Sequence, residues 1–338
     1  MRAFVQTAIG LFEAVDLPAP RAGPGEVVLR MRAAVTCGTD LKLLARGHAR
    51  IPLPVTMGHE VCGEIAEVGE GVRGFRTGDR VVPGISGPCG TCEDCRGGRA
   101  NLCPAGHADR TWGAFADFVR VPASVVASNL HRVPEGLADS AAAFLDPLAA
   151  VFHGWNRIRR PGGTMLVYGA GAIALLWAAT ARRRGVRCVV VGRGPERLRL
   201  AAALGAEVVE LTKTDGAEKV RAALGDPAPD VAVDCTGAPG VWERLPRLVR
   251  RGGEVLLFGG CAPGTAVTYD ASRLHYDEIA LTGSFHYTPD EAAAALAALA
   301  EGEVDPLPLL TATGALAELP GFLHAHARGE GIRYAVTA

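Results

Sequence analysis

Lysine is nearly absent from this chain of 338 residues: it occurs three times, so arginine carries almost all of the positive charge. We take this bias as compositional and infer no function from it. The 35 basic and 36 acidic side chains leave a net charge of −1. A balance so close to neutral gives no electrostatic reason to expect nucleic acid or an anionic membrane as a partner.

Long apolar segments are also missing. The longest run, AIALLWAATA, is about half the length of a membrane span and is followed by three arginines. The first twenty residues lack an extended apolar core and a small-residue cleavage site, so we expect no signal peptide. With 49% hydrophobic and 21% charged residues, the composition is typical of a globular enzyme with two domains, and we expect it in the cytoplasm.

Cysteine is concentrated in one segment. Four of the nine cysteines lie in GPCGTCEDCRGGRANLC, at Cys89, Cys92, Cys95 and Cys103. In a reducing compartment such a cluster binds metal more often than it forms disulfides. Four thiolates would fill a tetrahedral zinc site and leave no position for substrate, which indicates a structural zinc. A disulfide pair and an iron–sulfur cluster remain as alternatives.

The second half of the chain alternates short apolar segments with helical ones between Thr164 and Phe285. This alternation predicts an α/β domain, a doubly wound parallel sheet of the Rossmann type. Its six predicted strands are TMLVYG, RCVVVG, AEVVEL, DVAVDCTG, GEVLLFGG and EIALTGSF.

The first half has a different pattern, with short strands separated by glycine and proline turns. The segments EVVLRMRAAV, VCGEIAEVG, DRVVPG and AFADFVRVP predict an antiparallel, partly barrel-like domain. The tail contains an alanine-rich helix and a final strand, IRYAVTA, that we expect to pack on this first domain. The predicted domains are residues 1–147 with 288–338, and residues 148–287.

Three short segments carry candidate catalytic residues. VTCGTD contains Cys37, MGHEVCG contains His59 and Glu60, and LDPLAAVFHG contains Asp146 and His153. Each residue alone has an ordinary explanation as a buried cysteine, a paired histidine or a turn aspartate. Together they supply cysteine, histidine and carboxylate, the ligand set of an open catalytic zinc.

The block GHEVCGEIAEVGEGVRGFRTGDRVV, followed by the cysteine quartet and a dinucleotide fold, resembles the zinc-containing medium-chain alcohol and polyol dehydrogenases. The resemblance, to sorbitol- and threonine-dehydrogenase-like enzymes, spans nearly the whole chain and implies a GroES-like barrel as the first domain. It implies two zinc ions per chain, one bound by Cys37 and His59 and one by the quartet. The family's third ligand comes from a cysteine or a Glu-Pro-Leu segment, where this chain has Asp146 before Pro and Leu. The shorter aspartate binds directly, acts through a water, or yields to Glu60; these alternatives stay open.

The resemblance also implies how a proton leaves the substrate. Zinc lowers the pKa of a bound alcohol, whose hydride passes to the nicotinamide. The hydroxyl of Thr39 would accept the alcohol proton, and Asp40 would hold the ring N–H of His59. Many relatives place a histidine three residues after this threonine; Lys42 stands there and is a poor base near neutral pH. His48 is a further candidate for the exit route.

The glycine turn VYGAGAIA follows the first strand of the predicted Rossmann domain and opens a helix. Gly169, Gly171 and Ala174 form the pattern G-x-G-x-x-A, so the cofactor pyrophosphate is expected at the helix N-terminus, around Ala172 and Ile173. The resemblance implies further cofactor contacts at Cys235, Thr236, Phe258, Gly259 and Ser284.

The end of the second Rossmann strand bears on the choice of nicotinamide cofactor. NAD-dependent folds place an acid there for the ribose 2′-hydroxyl, but this chain has Gly192 and then Arg193. Arg193, with Arg197 one helical turn on, is suited to a 2′-phosphate. We therefore expect NADP ahead of NAD.

The leading hypothesis is a zinc-dependent dehydrogenase that oxidises a secondary alcohol of the polyol or sugar type. An amino-alcohol substrate, as in threonine dehydrogenases, is the first alternative. A non-catalytic protein that binds zinc and dinucleotide is the second. We expect a small-molecule substrate and a homodimer or homotetramer.

Overall fold

The computed structural model describes residues 1–47, 51–159, 162–212 and 217–338. His48, a candidate for the proton exit, lies outside the described residues. The chain divides into two compact units, residues 1–149 with 286–338 and residues 150–285. Within the described ranges, no helix combines the length and apolarity needed to cross a bilayer.

The strands, in chain order, are β1 (Arg2–Ala8), β2 (Leu11–Asp16), β3 (Val27–Val35), β4 (Val55–Thr56), β5 (Glu60–Val68), β6 (Arg80–Pro83), β7 (Phe118–Val121), β8 (Leu130–Arg132), β9 (Thr164–Tyr168), β10 (Arg187–Gly192), β11 (Glu207–Glu210), β12 (Val231–Asp234), β13 (Glu254–Leu257), β14 (Ala280–Gly283), β15 (Leu310–Ala315) and β16 (Arg333–Thr337). The helices are α1 (Gly38–Arg46), α2 (Glu93–Arg96), α3 (Ala123–Ser128), α4 (Asp139–Ala142), α5 (Leu145–Arg157), α6 (Ala172–Arg183), α7 (Pro195–Ala203), α8 (Ala217–Leu224), α9 (Pro239–Arg244), α10 (Ala271–Tyr276), α11 (Pro289–Ala300) and α12 (Leu319–Ala327).

The first unit is built around β3. This strand pairs antiparallel with β5, β7 and β16, and the sheet runs in the order β15-β16-β3-β5-β6-β8. Its apolar residues, including Val27, Leu29 and Met31, are fully or almost fully buried in two hydrophobic clusters. A smaller sheet, β2-β1-β4, completes the unit. The expected GroES-like antiparallel architecture is confirmed, with one addition: β15 runs parallel to β16.

The second unit is a six-stranded parallel sheet in the order β11-β10-β9-β12-β13-β14. All six strands lie in the segments predicted from the sequence. Strands β9, β10, β12 and β13 are rich in buried valine and leucine, as expected for strands covered by helices on both faces. The strand order reverses between β9 and β12, so the carboxyl ends of these two strands flank the crevice where such sheets bind ligands.

Candidate metal centres and cofactor turn

Neighbouring strands bring the first group of candidate ligands together. Cys37 lies just beyond β3 and precedes α1, and Glu60 begins β5 opposite Val35 of β3. The backbone N–H of Cys37 donates to Asp40 at 2.7 Å, which fixes the entry to α1. The ligand atoms of Cys37, His59 and Glu60 all lie within 4.8 Å of one another.

The ring of His59 is held between a carboxylate and an aromatic side chain. Its Nδ1 lies 3.3 Å from Asp40 Oδ1, and the ring stacks on Trp112 with centroids 5.0 Å apart. Among the described residues, neither His59 Nδ1 nor Asp40 Oδ1 has a hydrogen-bond partner in good alignment. A slight rotation of the ring is therefore needed to complete the expected hydrogen bond between these two atoms. Nε2 lies 3.9 Å from Glu60 Oε1 and is therefore the ring nitrogen nearest this carboxylate.

Glu60 has a partner that the sequence did not reveal. Arg333, on β16, is 2% exposed, and its Nη1 donates to both carboxylate oxygens of Glu60 at 2.8 and 3.0 Å. The same nitrogen donates to the backbone oxygen of Thr36. Burial raises the pKa of Glu60 and the positive charge of Arg333 opposes that shift. The net pKa of Glu60 lies well above its usual value, so the guanidinium offsets only part of the cost of burying this carboxylate.

The electrostatic setting favours a thiolate at Cys37. Burial raises the pKa of this thiol, but the charge of Arg333 and the hydrogen bond with His59 bring it down to about 6. Burial lowers the pKa of His59, yet the Asp40 carboxylate raises it more, so the ring favours the charged form. A bound metal needs the neutral ring, so metal binding would release that proton. A thiolate, an imidazole and a carboxylate at ligand distance fit zinc.

Asp146 occupies a different position from Glu60. It lies in the first turn of α5 and, among the described carboxylates, is not part of the group within 4.8 Å. Its Oδ1 accepts a hydrogen bond of 2.6 Å from the hydroxyl of Tyr287. Burial raises the pKa of Asp146 to about 6, and the charges of His59 and Glu60 also act on it, which places it within electrostatic reach of both. Which carboxylate completes the ligand set stays a prediction.

The predicted proton-transfer residues lie on α1. Thr39 is in its first turn and Lys42 follows three residues later, on the same helix face, and both are exposed. Their roles stay predictions, as does any role for His153, which is buried on α5.

The cysteine quartet forms the second candidate metal centre. All nine cysteines of the chain are free thiols, so the quartet contains no disulfide. Cys92 and Cys95 sulfurs are 3.5 Å apart, and those of Cys89 and Cys95 are 4.0 Å apart. Four sulfurs at 2.3 Å from a tetrahedral zinc would be about 3.8 Å apart. The spacing therefore matches a zinc site.

Hydrogen bonds from backbone amides stabilise negative charge on sulfur atoms of the quartet. Cys103 Sγ accepts from the amides of Cys89 and Gly106, each at 3.3 Å. Amide and side-chain hydrogen bonds from Thr91 lower the pKa of Cys89 to about 6. Hydrogen bonds to a sulfur stabilise the thiolate, which is the form that binds metal.

The glycine turn lies at the carboxyl end of β9. Gly169 has φ +122°, and a side chain there would meet Cys235 and Thr236 at 3.3 Å, so the turn passes directly over the end of β12. Gly171 precedes α6 without a side-chain cap and has open space around it. Ala172 and Ile173 begin the helix and are partly exposed. This uncapped helix start, with room above it, fits a pyrophosphate.

The other predicted cofactor residues surround the ends of β12, β13 and β14. Asp234, fully buried, accepts from the amides of Thr236 and Gly237 at 2.9 Å and holds the turn after β12. A side chain at Gly259 would meet the Gly237 amide at 2.4 Å, so the two turns touch. Phe258 packs edge-on against Trp177. Ser284 Oγ is buried without a partner in the part of the chain that the structure describes, as a hydroxyl awaiting a ligand would be.

Gly192 is tightly enclosed at the end of β10. A side chain there would approach the Ala170 methyl at 2.6 Å and its amide at 3.0 Å. An acid at this position would therefore require the glycine turn itself to shift. Arg193 is exposed and makes no hydrogen bond or ion pair with any described residue, and Arg197 lies on α7.

Comparisons with known proteins agree on both units. The alcohol dehydrogenase GroES-like domain matches residues 23–135, and the zinc-binding dehydrogenase domain matches residues 169–301. An L-threonine 3-dehydrogenase from Shewanella loihica is 31% identical over 304 residues, which cover 88% of this chain and 87% of that enzyme.

Two solved structures extend the comparison to cofactor complexes. A zinc-binding dehydrogenase from Sinorhizobium meliloti bound to NADP has 28% identity and a TM-score of 0.87, covering 100% of this chain and 99% of that one. Acetophenone reductase from Geotrichum candidum in complex with NAD has 25% identity and a TM-score of 0.86, covering 100% and 97%. The two neighbours hold different nicotinamide cofactors.

Proposed function

The chain belongs to the zinc-binding medium-chain alcohol dehydrogenase family, and from that premise we propose that it oxidises a secondary alcohol with NADP, using one of two zinc ions. That it is an oxidoreductase acting on CH–OH groups follows from the family. The substrate, the cofactor preference, the zinc count and the residue roles are the proposed part. The observation that carries them is the convergence of Cys37, His59 and Glu60 beside an independent cysteine quartet.

When bound, zinc supplies Lewis-acid polarisation of the alcohol oxygen and the nicotinamide accepts the hydride. The residues of this chain supply the rest. Cys37 and His59 hold the metal, with Glu60 or Asp146 as the carboxylate. Asp40 orients the His59 ring through Nδ1. Thr39 takes the alcohol proton, and Lys42 on the same helix face positions a cofactor hydroxyl or phosphate.

The substrate is a polyol, a sugar-like molecule or an amino alcohol. The segment Asp146-Pro147-Leu148 is compatible with all three, and the similarity to L-threonine 3-dehydrogenase supports the third. A screen of polyols, secondary alcohols and amino alcohols would distinguish them by kcat/KM. If wild-type protein containing two zinc ions turned over no member of any class with either cofactor, the proposal would fail.

The preference for NADP rests on Arg193 and on the enclosed Gly192. Because a side chain at 192 would strike Ala170, the carboxylate that selects NAD elsewhere has no room here. Exposed Arg193 can pair with a 2′-phosphate. Replacing Gly192 by Asp is a poor test, since it disturbs the turn that binds pyrophosphate.

The sharper test is Arg193→Ala. We expect kcat/KM for NADP to fall by about tenfold or more, as befits loss of a charge-assisted hydrogen bond, while kcat/KM for NAD changes little. Arg199→Ala on the nearby helix α7, an exposed arginine paired with Glu196, is the matched control. A wild-type preference for NAD, or an equal loss with both cofactors, would contradict the assignment.

The zinc count is tested by metal analysis of the purified protein, with two ions per chain expected.

We also infer a cytoplasmic location, supported by four closely spaced free thiols suited to metal in a reducing compartment. A homodimer or homotetramer is supported by β14, an edge strand of the six-stranded sheet, with Phe285 54% exposed beside it.

A further inference from the structure

Tyr287 has a fully determined hydrogen-bond arrangement. Its side chain is 2% exposed, and its hydroxyl oxygen accepts the backbone N–H of Ile85 at 3.1 Å. The same hydroxyl contacts Asp146 Oδ1 at 2.6 Å. Because the amide can only donate, the single phenolic proton is directed to the carboxylate. Tyr287 is therefore an obligate donor to Asp146.

The two buried carboxylates of this region are held in contrasting ways. Both carboxylate oxygens of Glu60 accept hydrogen bonds from the guanidinium of Arg333, so this carboxylate is paired with a cation. The side chain of Asp146 is instead held by a neutral phenol, the hydroxyl of Tyr287. A neutral donor fixes the position of a carboxylate without cancelling its charge, which remains available to a cation.

We propose that Tyr287 is a positioning residue that fixes the carboxylate of Asp146 for the metal centre of Cys37, His59 and Glu60. The inference rests on the proposed function and deepens it. In this arrangement Tyr287 acts through Asp146, the side chain to which it donates. Because aspartate is one methylene shorter than glutamate, its carboxylate has less reach, and its placement depends more on such a tether.

The test compares metal retention in the wild-type holoenzyme and in Tyr287→Phe, which removes the hydroxyl and keeps the ring. A chromophoric chelator competes for zinc, and the two ions are followed separately. We expect the affinity of the Cys37 centre to fall by about 10-fold to 100-fold, as for other partners of metal-ligating side chains. The quartet zinc should be unchanged, which makes it an internal reference.

Asp146→Asn separates positioning from packing. If Tyr287 acts through Asp146, Tyr287→Phe has little further effect on metal affinity in an Asp146→Asn background, so the two changes are not additive. Tyr334→Phe, another buried tyrosine whose hydroxyl donates to a backbone oxygen at 2.9 Å, is the matched control and should leave metal affinity unchanged.

Two results overturn the inference: unchanged metal affinity in Tyr287→Phe, or an equal loss in both backgrounds. Either leaves the proposed function intact if the wild type still binds two zinc ions and oxidises alcohols. A wild type without a second zinc would overturn the proposed function and this inference together.

Discussion

Arg333 and Glu60 form a buried ion pair whose members are separated by 273 positions in the sequence. Removing one member of such a pair leaves an uncompensated charge in a buried site, at a cost of about 3–5 kcal/mol. We expect Arg333→Leu to lower the free energy of unfolding in urea by that amount. Arg328→Leu, which breaks an exposed pair with Glu330, should change it little.

A paired substitution makes this prediction specific. Replacing both charges, Arg333→Leu with Glu60→Leu, should recover much of the stability lost by Arg333→Leu alone, because no buried charge then remains unpaired. Equal losses for the single and double variants would show that packing, not charge, is what Arg333 contributes.

At the residue scale, sequence patterns identified the residues whose chemistry is distinctive but not their partners. Cys37, His59 and the quartet carry recognisable spacings. Arg333, Tyr287 and Trp112 do not, because an arginine or an aromatic residue has many ordinary uses. Their roles depend on contacts over more than a hundred residues in two of the three cases, which no local pattern encodes.

Two strands of the larger sheet in the first unit, β3 and β6, are tied to a short helix by Asp139, which begins α4. It accepts from Arg32 of β3 at 2.8 Å and from Arg80 of β6 at 2.8 and 3.0 Å. Burial raises the pKa of Asp139, but the hydrogen bonds and charges of the two arginines outweigh it, so the pKa lies below its usual value.

Because of these contacts of Asp139, part of the free energy of unfolding should vary with pH in the acidic range. A carboxyl group whose pKa is lower in the folded state contributes stability above its unfolded pKa of about 3.9 and loses it as pH falls through the folded value. At pH 6 the free energy of unfolding in urea should therefore be higher for the wild type than for Asp139→Asn. The difference between the two proteins should become smaller below about pH 4. Glu135→Gln, at an exposed carboxylate, should show no such narrowing. A gap independent of pH would contradict the assignment.

The lobe that carries the quartet has little regular structure of its own, since α2 spans only Glu93–Arg96 with none of its residues buried. Its stability should come from zinc. We expect Cys92→Ser to lower the melting temperature and the zinc content together. Cys37→Ser should abolish turnover with a smaller change in melting temperature. Calorimetry and metal analysis on both variants check this, and the reverse order of stabilities would contradict it.

At the element scale, strands with continuous apolar runs were predictable and short exposed ones were not. The six strands β9 to β14 are separated by helices and bounded by glycine turns, and this alternation can be recognised in the sequence. Strand β2 is mostly exposed and β4 has two residues, so neither carries a hydrophobic signal. The parallel pairing of β15 with β16 depends on tertiary contacts alone.

The whole molecule is expected to associate, because the six-stranded sheet ends in an open edge at β14. Light scattering after size exclusion should give two or four times the chain mass of 35.1 kDa. Phe285→Asp, two residues after the end of β14, should shift the population toward monomer. Leu307→Asp, at another exposed apolar side chain, should not. A monomeric wild type would contradict the prediction of a dimer or tetramer.

The separation of Glu60 from Arg333 also imposes an order on biosynthesis. The quartet lies within fifteen positions, so all four cysteines have been translated when about a third of the chain has been made. The guanidinium that balances Glu60 is translated only near the end of the chain, on β16. The nascent protein can thus assemble its quartet during synthesis, whereas the ion pair between Glu60 and Arg333 can form only after the chain is released.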